Sequence, residues 1–164
     1  MQKGTVYIFT DGAVRDNQSK NNIGSYAAIL IYNGHEKEVS MGFRNVTNNQ
    51  MEIKAVIAGL NEMKRFDVPI EIYSDSAYVV NTINNKWIDD WVKNGWLKKD
   101  GKTVKNQEIW MELFELLKKF DNVKLIKIKG HNGHYGNERA DLLCNKTMDE
   151  LYGGWINEHS RQIF

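Results

Sequence analysis

Two different spacings of hydrophobic residues alternate along the chain. Segments rich in β-branched and aromatic residues predict strands, whereas apolar residues three and four positions apart predict helices. The predicted strands are 5–10, 24–32, 37–44, 70–74 and 123–128. The predicted helices are one through 53–63, short ones over 78–83 and 87–92, a core helix over 108–120 and a last helix capped by Asn137.

Local turn and cap residues connect these segments. Asn33-Gly34 favours a tight hairpin because both residues tolerate positive φ. Thr47-Asn48-Asn49-Gln50 offers a capping box and Asn caps to the first long helix, and Pro69 ends that unit. The succession of strand, crossover helix and strand predicts that strands one and four are parallel. The fold class is therefore α/β, with a five-stranded mixed sheet flanked by helices.

Length and composition fit a single domain. A chain of 164 residues, 41% of them hydrophobic, can bury its own core, and the lone Cys144 excludes a disulfide scaffold. The longest apolar run, 26–32, is too short to cross a bilayer, and the first residues lack a secretory h-region. We expect one domain over 1–164, with no separate domain before it, in the cytoplasm.

A basic segment stands out against the net charge of +1. Six lysines and three aspartates lie between Lys86 and Lys105, together with Trp87, Trp91 and Trp96. Ammonium groups meet phosphates, and aromatic faces stack on sugars or bases, so the pattern fits a nucleic-acid strand. It equally fits a solvated basic helix with inward-packed Trp residues.

Two carboxylates follow similar strand sequences, Ile8-Phe9-Thr10-Asp11-Gly12 and Ile72-Tyr73-Ser74-Asp75-Ser76. If both strands end at these residues and lie side by side, the carboxylates are about one interstrand spacing of ~4.8 Å apart. Open α/β sheets bind ligands at that edge. Either Asp alone could instead start a turn or cap a helix. Together they repel unless a cation neutralises both.

Two further carboxylates, Glu52 and Asp141, are candidates for the same site. Glu52 is predicted in the first helical turn, where Asn49-x-x-Glu52 is also a capping-box pattern. Asp141 is predicted one turn into the last helix, where acids are ordinary. Each residue alone is more easily explained as structural. The set of four, without Cys ligands, fits Mg²⁺ or Mn²⁺ and phosphoryl transfer.

Zinc is the competing metal because of His131-x-x-His134. These histidines stand in a Gly-rich segment and have no Cys partner at zinc-finger spacing. The sequence therefore favours a hard divalent cation over zinc.

Four blocks of sequence, in order between about 6 and 145, resemble type 1 ribonuclease H. They are Phe9-Thr10-Asp11-Gly12, Thr47-Asn48-Asn49-Gln50-Met51-Glu52, Tyr73-Ser74-Asp75-Ser76, and Lys129-Gly130-His131-Asn132-Gly133-His134 through Asn137-Glu138-Arg139-Ala140-Asp141. The segment 87–96 also resembles the basic protrusion with which this family grips the DNA strand.

The resemblance implies a ribonuclease H-like fold and an endonuclease that hydrolyses the RNA strand of RNA·DNA hybrids, leaving 5′-phosphate and 3′-hydroxyl ends. It implies two Mg²⁺ ions, for which Mn²⁺ can substitute, held by Asp11, Glu52, Asp75 and Asp141. His131 matches the family's loop histidine, which moves protons or helps to release product. His134 is interpreted as structural or solvent-facing.

The resemblance also implies how a hybrid would be held, by a chain that we expect to be a monomer. The 2′-OH is what separates RNA from DNA, and Glu52 can accept a hydrogen bond from it. The implied substrate-binding residues are Asn48 and Asn49 in the minor groove, Thr47, Asn106 and Arg44 at a DNA phosphate, and Trp87, Trp91, Lys93, Lys98 and Lys99 in the protrusion.

Two departures from the family pattern limit what is carried over. The segment 14–22 is longer and more polar than the Gly-Pro-rich loop of many bacterial members, and Ala77 stands where Gln often follows Asp-Ser. Two other functions remain open: a non-catalytic nucleic-acid-binding module, and a DNA exonuclease or Holliday-junction resolvase. The four acids favour an enzyme, and the protrusion with Asn48 and Asn49 favours hybrid cleavage.

Overall fold

The computed structural model describes residues 1–15, 22–129 and 134–153. His131 lies outside these ranges. The described residues form five strands and five helices. The strands are β1 (Val6–Arg15), β2 (Ile23–Tyr32), β3 (His35–Arg44), β4 (Ile70–Ser74) and β5 (Val123–Lys127). The helices are α1 (Asn48–Asn61), α2 (Ala77–Asn84), α3 (Trp87–Lys93), α4 (Gln107–Leu117) and α5 (Tyr135–Gly153).

The strands form one mixed sheet in the order β3-β2-β1-β4-β5. β2 is antiparallel to β1 and β3, whereas β4 is parallel to β1 and β5. Asn33 and Gly34 turn the β2–β3 hairpin with φ of 48° and 83°, both in the left-handed region. The predicted α/β class, the five-stranded mixed sheet and the parallel pairing of strands one and four are confirmed.

Helices cover the two faces of the sheet unequally. On one face α1 packs against β1 and β2, and the core there includes the fully buried Ile8, Ile53 and Trp110. On the other face α5 crosses β1, β2 and β3, and Ala140 and Cys144 are buried against the strands. Among the described helices, none combines the length and the apolar character that a bilayer span requires.

The predicted end of the first strand at Asp11-Gly12 is wrong. β1 continues through both residues to Arg15 and is paired with β2 along its whole length. The pairing of β1 with β4 stops earlier, at Phe9 and Tyr73. Ladder pairing with β2 thus overrides the turn preference of an Asp-Gly pair. Asp11 therefore lies within a strand but beyond its parallel neighbour.

Two helices place their acids differently from the prediction. α1 begins at Asn48, so Glu52 lies in its second turn rather than its first. α5 begins at Tyr135, so Asn137 is a buried helical residue and not the cap. Gly136, in the first turn of α5, lets the helix pack closely on β1, because a side chain there would overlap the Phe9 ring.

Candidate active site

Asp11 stands at the centre of a carboxylate cluster because β1 and α1 approach unusually closely. A Cβ at Gly12 would lie 2.5 Å from the Glu52 backbone nitrogen, so only Gly fits between the two elements. The Gly12 N–H donates to both Asp11 Oδ1 and Glu52 Oε1, at 3.0 Å each. One backbone donor thus holds two carboxylates that come from distant parts of the chain.

Glu52 is available to the cluster because other residues cap its helix. The capping box of α1 is formed by Thr47 and Gln50, so the alternative box with Asn49 is not formed. Glu52 is only 4% exposed, and its Oε2 is buried without a hydrogen-bond partner in the described structure. Such an orphaned carboxylate oxygen is costly unless a ligand or cation meets it.

Asp75 follows β4 directly and is half-buried at the same edge of the sheet. Ser76, rather than Asp75, caps α2: its hydroxyl accepts from the Val79 N–H at 3.2 Å. The carboxylate is therefore not used as the helix cap. Asp11, Glu52 and Asp75 each offer an oxygen, and these three oxygens lie within 4.8 Å of one another.

Asp141 reaches the cluster from α5 on the opposite face of the sheet. Its carboxylate is close enough for its charge to raise the pKa of Asp11, but it is outside the group of three closely spaced oxygens. All four carboxylates line one open pocket of about 420 Å³. The pocket is lined by Asp11, Gly12, Ala13, Val14, Asn48, Asn49, Glu52, Asp75, Ser76, Asn137 and Asp141.

The electrostatics of this pocket favour a bound cation. Burial, together with the charges of Asp75 and Asp141, raises the pKa of Asp11 from 3.8 to about 7. Burial, followed by the charges of Asp11 and Asp75, also raises the pKa of Glu52 well above its ordinary value. A divalent cation removes this repulsion and satisfies the Glu52 oxygen, so the residues present fit a hard metal.

The sequence did not single out two pocket residues. The Asp11-Gly12 pair predicts a turn at Gly12. A glycine inside a strand pattern is, however, also a signal for close backbone approach. Asn137 was expected to cap α5, but it is 4% exposed and lines the pocket. Its burial follows from the earlier start of the helix, which sequence patterns locate only to within a few residues.

His131, the predicted catalytic histidine, lies outside the described residues. His134 is described, is exposed, and precedes α5, where its carbonyl accepts from the Glu138 N–H at 2.9 Å. Within the described residues, the candidate metal ligands that cluster are all carboxylates.

Two of the residues predicted to bind substrate lie at the rim of this pocket. Asn48 and Asn49, the first residues of α1, are exposed and line it together with Glu52. Thr47 is exposed as the cap of α1, and Arg44 ends β3 three residues earlier. Asn106, which caps α4 in a left-handed conformation with φ of 60°, donates to the Tyr78 hydroxyl at 3.3 Å.

The basic segment, residues 86–105, is here called the protrusion and connects α2 to α4. Trp87 is 43% exposed, whereas Trp91 is partly buried and packs its ring against Trp96 and Trp110 at centroid distances of 6.4 and 6.0 Å. Lys93, Lys98 and Lys99 are exposed. Trp87, Trp91, Lys98 and Lys99 line one pocket of about 810 Å³. The solvated lysines and the inward packing of Trp91 agree with the interpretation of a solvated basic helix, and binding of a nucleic-acid strand stays a prediction.

Four carboxylates line one pocket beside the point where the parallel pairing of β1 and β4 stops. This arrangement is typical of metal-dependent hydrolases. The family profile described as "RNase H" matches residues 3–149. The chain belongs to the ribonuclease H family.

Comparison with individual proteins agrees with this assignment. The chain is 50% identical over 146 residues to "Ribonuclease H" of Clostridium botulinum, with 89% of this chain and 97% of the relative covered. Its fold is similar to LC9-RNase H1, a type 1 RNase H with the type 2 active-site motif, at a TM-score of 0.77 and 24% identity over 94% of this chain and 74% of the other. It is also similar to LC11-RNase H1 in complex with RNA/DNA hybrid, at a TM-score of 0.69 and 21% identity over 90% and 99% of the two chains.

Proposed function

We propose that the carboxylate pocket hydrolyses the RNA strand of RNA·DNA hybrids, with two Mg²⁺ ions held by Asp11, Glu52, Asp75 and Asp141. The observation that carries this proposal is the trio of carboxylate oxygens within 4.8 Å, one of which belongs to the buried Glu52 whose second oxygen lacks a partner. Membership of the ribonuclease H family supplies the reaction class. Mn²⁺ is expected to substitute for Mg²⁺, because both prefer oxygen ligands.

The carboxylates and His131 have different proposed roles in this site. When bound, a pair of divalent cations activates a water and stabilises the leaving oxygen during phosphodiester hydrolysis. Asp11 and Glu52 would hold the cations through carboxylate oxygens that the shared Gly12 N–H keeps oriented. The raised pKa of Asp11 means that its proton must leave before or as the cations bind. His131 is proposed to move protons or to help product release.

The exposed side chains around the pocket are proposed to hold the hybrid. Asn48 and Asn49 would contact the minor groove beside the carboxylates, where the 2′-OH distinguishes RNA from DNA. Thr47, Asn106 and Arg44 would bind a DNA phosphate, because hydroxyl, amide and guanidinium groups are all phosphate donors. The protrusion would meet the DNA backbone through Trp87, Trp91, Lys93, Lys98 and Lys99. A solved RNase H1 of the same fold binds an RNA/DNA hybrid, which supports this assignment.

A substrate panel tests the proposal. Labelled hybrid, duplex DNA, duplex RNA and single strands are incubated with the protein, with Mg²⁺ and with excess chelator. We expect internal cleavage of the RNA strand of the hybrid in Mg²⁺ only, with 5′-phosphate and 3′-hydroxyl ends. Cleavage that persists in chelator, or ends carrying 2′,3′-cyclic phosphate, would contradict the metal-dependent mechanism. Preferential cutting of duplex DNA would favour an exonuclease or a resolvase.

We further propose that the chain works as one nuclease domain, as a monomer, in the cytoplasm. Its single cysteine, Cys144, is buried against the sheet and needs no oxidising compartment. Sedimentation with and without hybrid tests the oligomeric state. A stable dimer in both conditions would overturn the monomer.

A further inference from the structure

Asn22 closes the edge of the sheet beneath the segment that leads into α1. The ladder between β2 and β3 ends at the pair Ile23 and Arg44. One residue further, the Asn45 N–H donates to the Asn22 carbonyl at 3.0 Å. Asn22 is 8% exposed, which is unusual for an amide side chain outside a helix or strand.

The side chain of Asn22 then extends this ladder by another rung. Its Nδ2 donates to the Val46 carbonyl at 2.9 Å, and its Oδ1 accepts from the Val46 N–H at 2.9 Å. An amide side chain offers both a donor and an acceptor, as a neighbouring peptide group would. Both backbone groups of Val46 are thereby satisfied by one residue.

Val46 needs this support because the chain has already left the strand. Asn45 has a left-handed φ of 57°, which turns the backbone away from β3. The Val46 side chain also packs over Gly24, where a Cβ would lie only 2.6 Å from Val46 Cγ2 and 2.9 Å from the Ala13 carbonyl. Hydrogen bonds and close packing thus fix Val46 from two sides.

The position of Val46 sets the start of α1. Thr47 follows as the helix cap, and Asn48 and Asn49 come next at the rim of the carboxylate pocket. A shift of Val46 is therefore carried over two or three residues into Asn48 and Asn49, the side chains proposed to contact the minor groove.

We propose that Asn22 is a positioning residue for hybrid recognition, which acts by holding Val46 and through it Asn48 and Asn49. This inference rests on the proposed function, because it assumes that these two asparagines contact the hybrid. It makes the start of β2, which does not line the carboxylate pocket, part of the discrimination between hybrid and duplex DNA.

Asn22→Ala tests the proposal without changing the charge of the protein. We expect the dissociation constant for hybrid, measured by fluorescence anisotropy in chelator, to rise about fivefold. Duplex DNA of the same length should lose less affinity, because phosphate contacts elsewhere are unaffected. In Mg²⁺, KM for the hybrid should rise by the same factor and kcat should stay within about twofold.

A matched control separates positioning from general loss of stability. Asn84→Ala also removes an amide hydrogen bond to a backbone carbonyl, that of Leu125 at 3.0 Å, away from the β3–α1 connection. All measurements are made well below the melting temperature of each variant. If Asn84→Ala and Asn22→Ala change the hybrid affinity equally, Asn22 has only a structural role and the proposal is overturned.

A double-mutant cycle with Asn49→Ala asks whether Asn22 acts through the recognition segment. When Asn49 is already absent, Asn22→Ala should weaken hybrid binding by a smaller factor than in the parent protein. Fully multiplicative losses would overturn the proposal. If the parent protein itself does not prefer hybrid over duplex DNA, the proposed function fails; if it does and Asn22→Ala keeps the parent's affinity, only this inference fails.

Discussion

The carboxylate pocket and the protrusion hold their charges in opposite ways. Asp11, Glu52, Asp75 and Asp141 come from four elements and are collected in one pocket, where burial raises the pKa of two of them. The lysines of the protrusion are neighbours in sequence and stay exposed. Burial of like charges in the pocket is therefore unfavourable until a cation binds. The exposed lysines of the protrusion remain in water, so their charge costs little folding free energy.

The two regions should therefore affect different steps: the pocket the chemical step, and the protrusion the binding of the hybrid. Removal of a pocket carboxylate should change the rate of the chemical step, because the reacting phosphate would be held there. Removal of an exposed lysine should change affinity and its salt dependence. Trp91 lies between these extremes, since it lines the surface of the protrusion and also packs against the core residue Trp110.

The largest effect is expected from Asp11→Asn or Asp75→Asn. Each change keeps the side-chain volume and removes one charge from the cation site. We expect kcat/KM for hybrid cleavage in Mg²⁺ to fall at least ~1000-fold, which is about 4 kcal/mol of transition-state stabilisation. Asp67→Asn is the control, because Asp67 is exposed and paired only with Arg65 among the contacts described. Near-parental turnover in either pocket variant would remove that residue from the catalytic set.

Trp91→Ala should be the most destabilising change in the protrusion. Its ring packs on Trp96 and Trp110, and loss of a largely packed aromatic side chain costs roughly 2–4 kcal/mol. Trp87→Ala, at a residue that is 43% exposed, should cost less than about 1 kcal/mol while it raises KM for hybrid. The melting temperatures of both variants, measured by thermal unfolding, test this difference in stability. Equal melting temperatures would mean that Trp91 is not part of the supporting core.

The metal-free protein should lose stability as the pH rises from about 4 to about 7. The folded-state pKa of Asp11 is about 7 against an ordinary 3.8, so the folded protein holds this proton more tightly than the unfolded chain does. This contribution is therefore complete below the lower value and is lost as pH passes through the upper one. Asp11→Asn should remove it, and at pH 7 in chelator the variant should be more stable than the parent by on the order of 2 kcal/mol.

Chemical denaturation in chelator at pH 4, 5.5 and 7 measures this difference. The stability gained by Asp11→Asn should grow with pH, and saturating Mg²⁺ should reverse it in favour of the parent protein. A stability difference between the two proteins that is independent of pH would show that the pKa of Asp11 is not raised in the folded protein.

The smallest effect is expected when Lys93, Lys98 and Lys99 are all changed to Gln. The three side chains are exposed, so folding should change little. Affinity for hybrid should fall about tenfold at low salt, and the slope of log affinity against log salt should flatten by up to about 3. Gln at Lys3, Lys64 and Lys119, which are also exposed, changes the net charge equally and serves as control. An unchanged slope in the protrusion variant would mean that the DNA strand is gripped elsewhere.

Much of the fold could be predicted because it depends on local patterns. Residues 70–74 alternate between buried and partly exposed positions as a strand requires, and β4 has the predicted bounds. Asn33-Gly34 closes its hairpin because the turn demands positive φ, which these residues tolerate. The exposed lysines of the protrusion also follow from composition alone, since charged side chains remain in water.

Only the tertiary structure decided how the acids meet. Asp11 stays within β1 because β2 pairs with it, and Glu52 reaches Asp11 because Gly12 lets α1 approach the sheet. The sequence identified Asp11, Glu52, Asp75 and Asp141 as candidates through their residue types and order, and hence the kind of metal they suit. Their burial and spacing depend on contacts between residues as far apart as 11 and 141. Such contacts leave no periodic pattern in the sequence, because they form only when the strands and helices pack.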